Sequence, residues 1–264
     1  MVLPGLLVDP AWLQKQANDP QVRIVDLRDA QAYEHEHIPG AVHVDLAELG
    51  RTRDGCENVL LPTHEFDALM ERLTLSDDDA VICYDAHWGL ASARLVWALH
   101  RHGHRSVAVV NGGWDRWQEE RLPTVRHTQR ARPEGAPAFE SRLTADVSAD
   151  YDWLHKHGMH DDVVLFDTRA QTEFDQGHLP GAICWDWFRA VPVGSWECSR
   201  DSDELRSEWA KLGVTADRDI VTYCRSGMRA AHTYMVLRHA GFPRVRLYDG
   251  SWQDWNLRSG NDGD

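Results

Sequence analysis

Short apolar runs alternate with segments of helical periodicity along the whole chain. The apolar runs are rich in Val and Ile, and they fall at 22–27, 79–84, 106–110, 163–167, 220–224 and 245–248. Runs of this length and composition are typical of buried strands. Strands that alternate with helices predict an α/β fold, in which a mostly parallel sheet carries helices on both faces.

The chain contains two copies of one unit. Three blocks recur in the same order: 24–28 with 165–169, 37–42 with 178–183, and 111–117 with 249–255. Because chance agreement of ordered blocks is improbable, the pattern indicates a tandem duplication. We expect a first domain over 1–122, a linker over 123–142 that lacks an apolar period, and a second domain over 143–264.

One stretch of the second copy concentrates chemistry at the end of a predicted strand. The run from Ile220 ends at Cys224, a polar loop with Gly227 follows, and apolar residues at helical spacing begin at Met228. Backbone N–H groups converge at such a turn, and the helix N-terminus adds partial positive charge. Arg225 and Arg229 flank the same point, so the loop is suited to stabilise a thiolate and to attract anions. The alternative is a buried core cysteine beside two solvated arginines.

The first copy provides an internal comparison for this stretch. Aligning the strand that ends at Tyr84 with the one that ends at Tyr223 places Asp85 opposite Cys224. The first copy therefore lacks a nucleophile at the strand end, and we expect it to shape the site rather than to react. His87 and Trp88, which follow in its longer loop, are predicted to line the cleft that faces Cys224. The alternative for both is an exposed position in the loop.

Composition restricts the classes of partner. The net charge is −14, which argues against nucleic acid and anionic membrane surfaces as partners. The five cysteines are scattered and show no metal-ligand spacing, so we expect no metal site, no cofactor and free thiols in a reducing cytoplasm. The first residues have no basic stretch, and no apolar run is long enough to span a membrane, so we expect neither a signal peptide nor a transmembrane segment.

These motifs together resemble the rhodanese family of sulfurtransferases in its tandem two-domain form. The resemblance covers nearly the whole chain and depends on the Asp-x-Arg strand ends and on the segments 177–182, 224–229 and 249–252. It implies an inactive N-terminal rhodanese-like domain and a catalytic C-terminal one. It also implies a mechanism in which the Cys224 thiolate takes a sulfane sulfur from a donor, forms a persulfide and passes the sulfur to cyanide or a thiol.

The chemistry of the loop agrees with this mechanism. The N–H groups of Ser226, Gly227 and Met228 lie where they can point at the cysteine sulfur, as a negative persulfide requires. Arg225 and Arg229 can bind an anionic donor and neutralise a sulfite leaving group, although salt bridges to nearby acids would also explain them.

Arg169 is a further candidate for donor contact, with pairing to Asp167 as its alternative. Cysteine-dependent phosphatases and arsenate reductases place five residues between Cys and Arg. Here four separate Cys224 from Arg229, which disfavours that class.

The sequence leaves two candidates for the sulfur donor, thiosulfate and mercaptopyruvate. Thiosulfate enzymes of the tandem form resemble Cys-Arg-Lys-Gly in this loop and mercaptopyruvate enzymes resemble Cys-Gly-Ser-Gly, whereas this chain has Cys-Arg-Ser-Gly. Glu173 stands where family members often carry a substrate-binding arginine, which weakens mercaptopyruvate more. We therefore favour thiosulfate, with mercaptopyruvate and a non-catalytic regulatory module as alternatives. Cyanide, a thiol or thioredoxin is the expected acceptor.

Overall fold

The computed structural model describes residues 1–126, 135 and 137–260. Parts of the expected linker over 123–142 therefore lie outside the described residues, as does the C-terminal tail 261–264. The fold divides into an N-terminal and a C-terminal half, each built around its own five-stranded sheet.

The N-terminal half contains a parallel sheet, a hairpin and helices. Its strands are β1 (Leu7–Val8), β2 (Val22–Asp26), β3 (Ala41–His43), β4 (Gly50–Arg53), β5 (Cys56–Leu60), β6 (Ala80–Tyr84) and β7 (Val107–Val110). Its α-helices are α1 (Pro10–Gln16), α2 (Ala30–His35), α3 (Thr63–Arg72), α4 (Leu90–Arg101) and α5 (Gly113–Glu119). The sheet order is β1-β7-β6-β2-β3 with every pair parallel, and β4 pairs with β5 alone in an antiparallel hairpin.

The C-terminal half repeats this arrangement without the hairpin. Its strands are β8 (Ser148–Ala149), β9 (Val163–Asp167), β10 (Ile183–Cys184), β11 (Asp219–Tyr223) and β12 (Val245–Tyr248). Its α-helices are α6 (Tyr151–His157), α7 (Gln171–Asp175), α8 (Ser202–Ala210), α9 (Met228–His239) and α10 (Ser251–Ser259). The sheet order is β10-β9-β11-β12-β8, again parallel throughout, so the predicted duplicated α/β fold is confirmed.

Equivalent side chains make equivalent contacts in the two halves. The Tyr84 hydroxyl accepts a hydrogen bond from the backbone N–H of Ile38, and the Tyr223 hydroxyl accepts one from that of Leu179. The two tyrosines end β6 and β11, the central strands of their sheets. The residue that follows each tyrosine is therefore structurally equivalent, which supports the alignment of Asp85 with Cys224.

The two halves share one hydrophobic core. Helices α4 and α9 pack against each other, and their buried side chains belong to a single cluster that includes residues of both sheets. Burial of this apolar surface fixes the halves relative to each other. The β4–β5 hairpin leaves the N-terminal half and lies against the loops at the carboxyl end of the other sheet, where residues of β5 hydrogen-bond to Asp249 and Gln253.

The hairpin was not predicted from the sequence. Its turn is Asp54-Gly55, and both residues have positive φ, at 52° and 81°. Asp-Gly is a preferred pair for a tight hairpin turn because glycine adopts this conformation without steric cost. The dipeptide was therefore the signal that could have identified the hairpin.

Candidate functional site

Cys224 lies at the carboxyl edge of the C-terminal sheet, directly after β11. Its backbone N–H donates to the Ser251 hydroxyl at 3.2 Å, and its carbonyl accepts from the N–H of Trp252 at 3.0 Å. The residue is 1% exposed. These bonds to the start of α10 fix the strand end, so the thiol has a defined position at the place where open α/β sheets bind ligands.

The loop after Cys224 turns at Gly227, where a side chain would be strained. Gly227 has a φ of 86° and immediately precedes α9. A Cβ atom there would lie 3.0 Å from Nη1 of Arg94 and 3.2 Å from the carbonyl oxygen of Asp249. The positive φ favours glycine, and the close approach leaves little room for a side chain. The loop therefore turns sharply into the N-terminus of a twelve-residue helix, whose dipole favours negative charge.

The N-terminal half shows what a loop in this position does. Asp85, the equivalent of Cys224, is 1% exposed, and its carboxylate accepts hydrogen bonds from the N–H groups of His87, Gly89 and Ser92 at 2.8, 3.0 and 2.8 Å. Its carbonyl accepts from Trp114, as that of Cys224 does from Trp252. The first loop is thus an anion cradle that its own carboxylate fills.

The second loop carries the same type of donor without the carboxylate. Within the described part of the chain, the N–H groups of Ser226, Gly227 and Met228 have no oxygen acceptor. They follow Cys224 at the N-terminal end of α9, where backbone donors and the helix dipole act together on a nearby anion. The prediction that these three N–H groups hold a negative persulfide stays a prediction.

Arg229 lies beside both the thiol and Glu173. Its Nη1 and Nη2 atoms donate to the Glu173 carboxylate at 2.5 and 2.8 Å. The pKa of Arg229 is raised, chiefly by this hydrogen bonding and also by the nearby Cys224 thiol. The hydrogen bonds from Arg229 in turn lower the pKa of Glu173. The salt bridge considered as an alternative for Arg229 thus exists, and it forms next to the sulfur.

Arg225 is held more loosely. Its Nη2 atom is 3.6 Å from the carboxylate of Glu57 on β5, and both side chains are more than half exposed. Asn58 of the same strand approaches the neighbouring Ser226 hydroxyl at 3.4 Å. Strand β5 therefore lies over the Cys224 loop and leaves the Arg225 guanidinium facing solvent.

A buried ion pair fastens the hairpin to this site. Arg94 of α4 is 1% exposed, and its Nη2 atom lies 2.8 Å from the Asp249 carboxylate and 2.5 Å from the carbonyl oxygen of Asn58. The other Asp249 oxygen accepts from the N–H of Leu60 at 2.8 Å. Sequence reasoning missed this junction, although a lone arginine in the apolar face of α4 was a signal for it.

Arg169 is paired with Asp167, the alternative considered for it in the sequence. It is 3% exposed and donates through Nε and Nη2 to both carboxylate oxygens of Asp167 and to the carbonyl of Gly177. Arg28 of the other half makes the same contacts with Asp26 and Glu36. A guanidinium held in this way, and repeated in the half without a nucleophile, stabilises the loop, so its predicted contact with the donor stays a prediction.

Trp88 contacts the segment around Ser195, whereas His87 lies exposed in the same loop. Trp88 donates through Nε1 to the Ser195 carbonyl at 3.3 Å and packs edge-on against Phe188, while its carbonyl is bound by the His232 ring. His87 is exposed and lies near Asp115. None of the contacts described for these two residues is with the Cys224 loop. That both residues line the cleft facing Cys224 stays a prediction.

No group of three or more His, Cys, Asp or Glu side chains within 1–126 and 137–260 is arranged to hold a metal ion. None of the helices in those ranges has the length and apolar character that a membrane crossing requires. The five cysteines are free thiols, and only Cys184 among them is more than slightly exposed.

Comparison with known proteins gives matches over both halves. A family model for the rhodanese-like domain matches residues 9–120 and again residues 150–258. The sulfur carrier protein TtuD of Thermus thermophilus is 32% identical over 278 residues, which cover 96% of this chain and 94% of the relative. A thiosulfate sulfurtransferase of Azotobacter vinelandii is 29% identical, with 95% and 93% covered.

A solved structure gives the same result. SseA from Escherichia coli, described as a 3-mercaptopyruvate sulfotransferase with the rhodanese fold, superposes with a TM-score of 0.82 at 26% identity. The alignment covers 94% of this chain and 99% of SseA. Both halves of the chain therefore have counterparts in relatives of almost the same length.

Proposed function

Because the chain belongs to the rhodanese family, we propose that it is a sulfurtransferase that works through a persulfide on Cys224. The thiolate attacks the outer sulfur of thiosulfate, the S–S bond of the donor breaks, and sulfite leaves with the electron pair. A cyanide ion or thiolate then attacks the terminal sulfur of the persulfide and restores the Cys224 thiolate. The observation that carries the proposal is the position of the Cys224 thiol. In the equivalent loop of the N-terminal half, three backbone N–H groups bind the Asp85 carboxylate at that position.

The loop supplies what each step needs. The N–H groups of Ser226, Gly227 and Met228 hold the negative charge of the persulfide, as the first loop holds that of Asp85. Arg225, which is largely exposed, attracts the anionic donor and stabilises the sulfite that departs. Arg229 adds positive charge beside the thiol. The N-terminal half contributes β5, which lies over the loop, rather than a reacting group.

Two observations favour thiosulfate over mercaptopyruvate as the donor. Arg225 provides an accessible cation next to the nucleophile, which suits a compact dianion. Glu173, paired with Arg229, stands where family members often carry a substrate-binding arginine, so mercaptopyruvate lacks the cation that would hold its carboxylate. Mercaptopyruvate is the second candidate, because SseA superposes over almost its full length.

The proposed sulfur acceptor is cyanide or a thiol. A small nucleophile such as cyanide can reach a sulfur with little exposure, and a protein thiol such as that of thioredoxin would have to dock over the loop. Five free cysteines fit a reducing cytoplasm, where such thiols are abundant.

Thiocyanate formation from thiosulfate and cyanide tests the proposal. We expect turnover by the native chain and its loss in Cys224→Ser. The matched control is Cys184→Ser, which removes the most exposed of the other thiols and should retain turnover. Turnover that survives in Cys224→Ser, or fails in the native chain with both donors, would overturn the proposal.

A further inference from the structure

Each arginine of the Cys224 loop is paired with a glutamate, but the two pairs differ. Arg229 and Glu173 are joined by two hydrogen bonds, and their side chains are 25% and 35% exposed. Arg225 and Glu57 lie 3.6 Å apart and are 61% and 55% exposed. The first pair is therefore a fixed, partly buried contact, and the second is a loose contact in solvent.

Glu173 is also held by its own helix. One of its carboxylate oxygens accepts the N–H of Ala170 at 3.3 Å, a capping contact at the start of α7. Its pKa is lowered by Arg229, so it remains ionised at neutral pH. Arg229, in turn, lies close enough to Cys224 for the thiol to help raise the pKa of Arg229. A permanent negative charge thus stands one side chain away from the sulfur.

We propose that Glu173 is a specificity-determining residue that weakens the binding of small anionic donors at Cys224. Its carboxylate occupies the hydrogen-bond donors that Arg229 would otherwise offer to an anion, and it repels negative charge that enters beside the thiol. Arg225 is left as the accessible cation for the donor. This inference rests on the proposed function, because it concerns the donor step of the same site.

The expected effect of removing this charge appears in substrate binding. Glu173→Gln keeps the size of the side chain and one oxygen for Arg229. We expect it to lower the KM for thiosulfate about fivefold, which corresponds to the interaction free energy of a partly buried ion pair. We expect kcat to change less than about twofold. The comparison variant Glu57→Gln should change KM less than about twofold, because water screens that pair. A KM that is unchanged or higher in Glu173→Gln would overturn the inference.

Alkylation gives a second readout that does not depend on turnover. Iodoacetate and iodoacetamide both transfer a substituted methyl group to a thiolate and release iodide, but only iodoacetate is an anion. We expect the ratio of the two rates at Cys224, iodoacetate over iodoacetamide, to rise about fivefold in Glu173→Gln, with Cys224→Ser as the blank. An unchanged ratio contradicts the inference. If the native chain forms no persulfide but Glu173→Gln still shifts the ratio, the proposed function is refuted and the role of Glu173 is retained.

Discussion

Asp85 allows the anion cradle to be tested in the half that does not react. Its carboxylate is buried and accepts three backbone N–H groups, of His87 and Gly89 on one oxygen and of Ser92 on the other. Asp85→Asn keeps one oxygen and replaces the other with an NH₂ group. The NH₂ group then faces the Ser92 N–H, so that two donors oppose each other. The remaining oxygen also carries less negative charge for the other two N–H groups.

The size of the effect follows from these contacts. A buried N–H without an acceptor costs about 1–3 kcal/mol, and hydrogen bonds to a charged group lose about 1 kcal/mol when the charge is removed. The neutral amide is easier to bury than the carboxylate, which offsets part of this loss. We therefore expect Asp85→Asn to lower the free energy of unfolding by about 2–3 kcal/mol.

Urea unfolding at neutral pH measures this difference, and an unchanged slope shows that the unfolded state is comparable. The matched control is Asp29→Asn, which changes an exposed carboxylate that caps α2 through the N–H of Ala32. Asparagine and aspartate are nearly equal at this position, so the control should lose less than about 0.5 kcal/mol. An equally small loss in Asp85→Asn would mean that the first loop does not hold an anion, and the comparison with the Cys224 loop would fail.

Two further predictions concern the interface and pH. Arg94→Met leaves the Asp249 carboxylate without its buried partner, so unfolding free energy should fall by about 3 kcal/mol and proteolysis at the β4–β5 turn should accelerate; unchanged proteolysis would contradict the fastening role. Burial lowers the pKa of His100 to about 3 and that of His102 and His232 to about 4. Below pH 6.5 the unfolded chain therefore binds protons that the folded chain does not, and stability should fall by about 2 kcal/mol per histidine between pH 6.5 and pH 5, as urea unfolding would show; a flat profile would refute this.

The duplicated fold was predictable because its signals are local or repeated. Valine-rich and isoleucine-rich runs mark the central strands, and the structure places β9 and β12 at the predicted residues. The position of Cys224 followed from the same runs, since a strand that enters a helix ends at the edge of the sheet. The repeat also identified Asp85 as its counterpart, which no single-copy domain could have shown.

The surroundings of the thiol were not predictable, because they depend on contacts between distant parts of the chain. Leu60 and Asp249 are 189 positions apart, and Arg229 and Glu173 are 56 apart. No periodicity connects such residues, and a charged side chain gives no sign of which partner it will meet. The contact of Trp88 with the segment around Ser195 was not predictable for the same reason.

The mass of the protein after incubation with thiosulfate tests the central claim most directly. The account predicts a gain of one sulfur atom, located on the peptide that contains Cys224, lost on addition of cyanide and absent in Cys224→Ser. A sulfur found on Cys184 instead, or no gain in mass under conditions in which thiosulfate is consumed, would contradict the account.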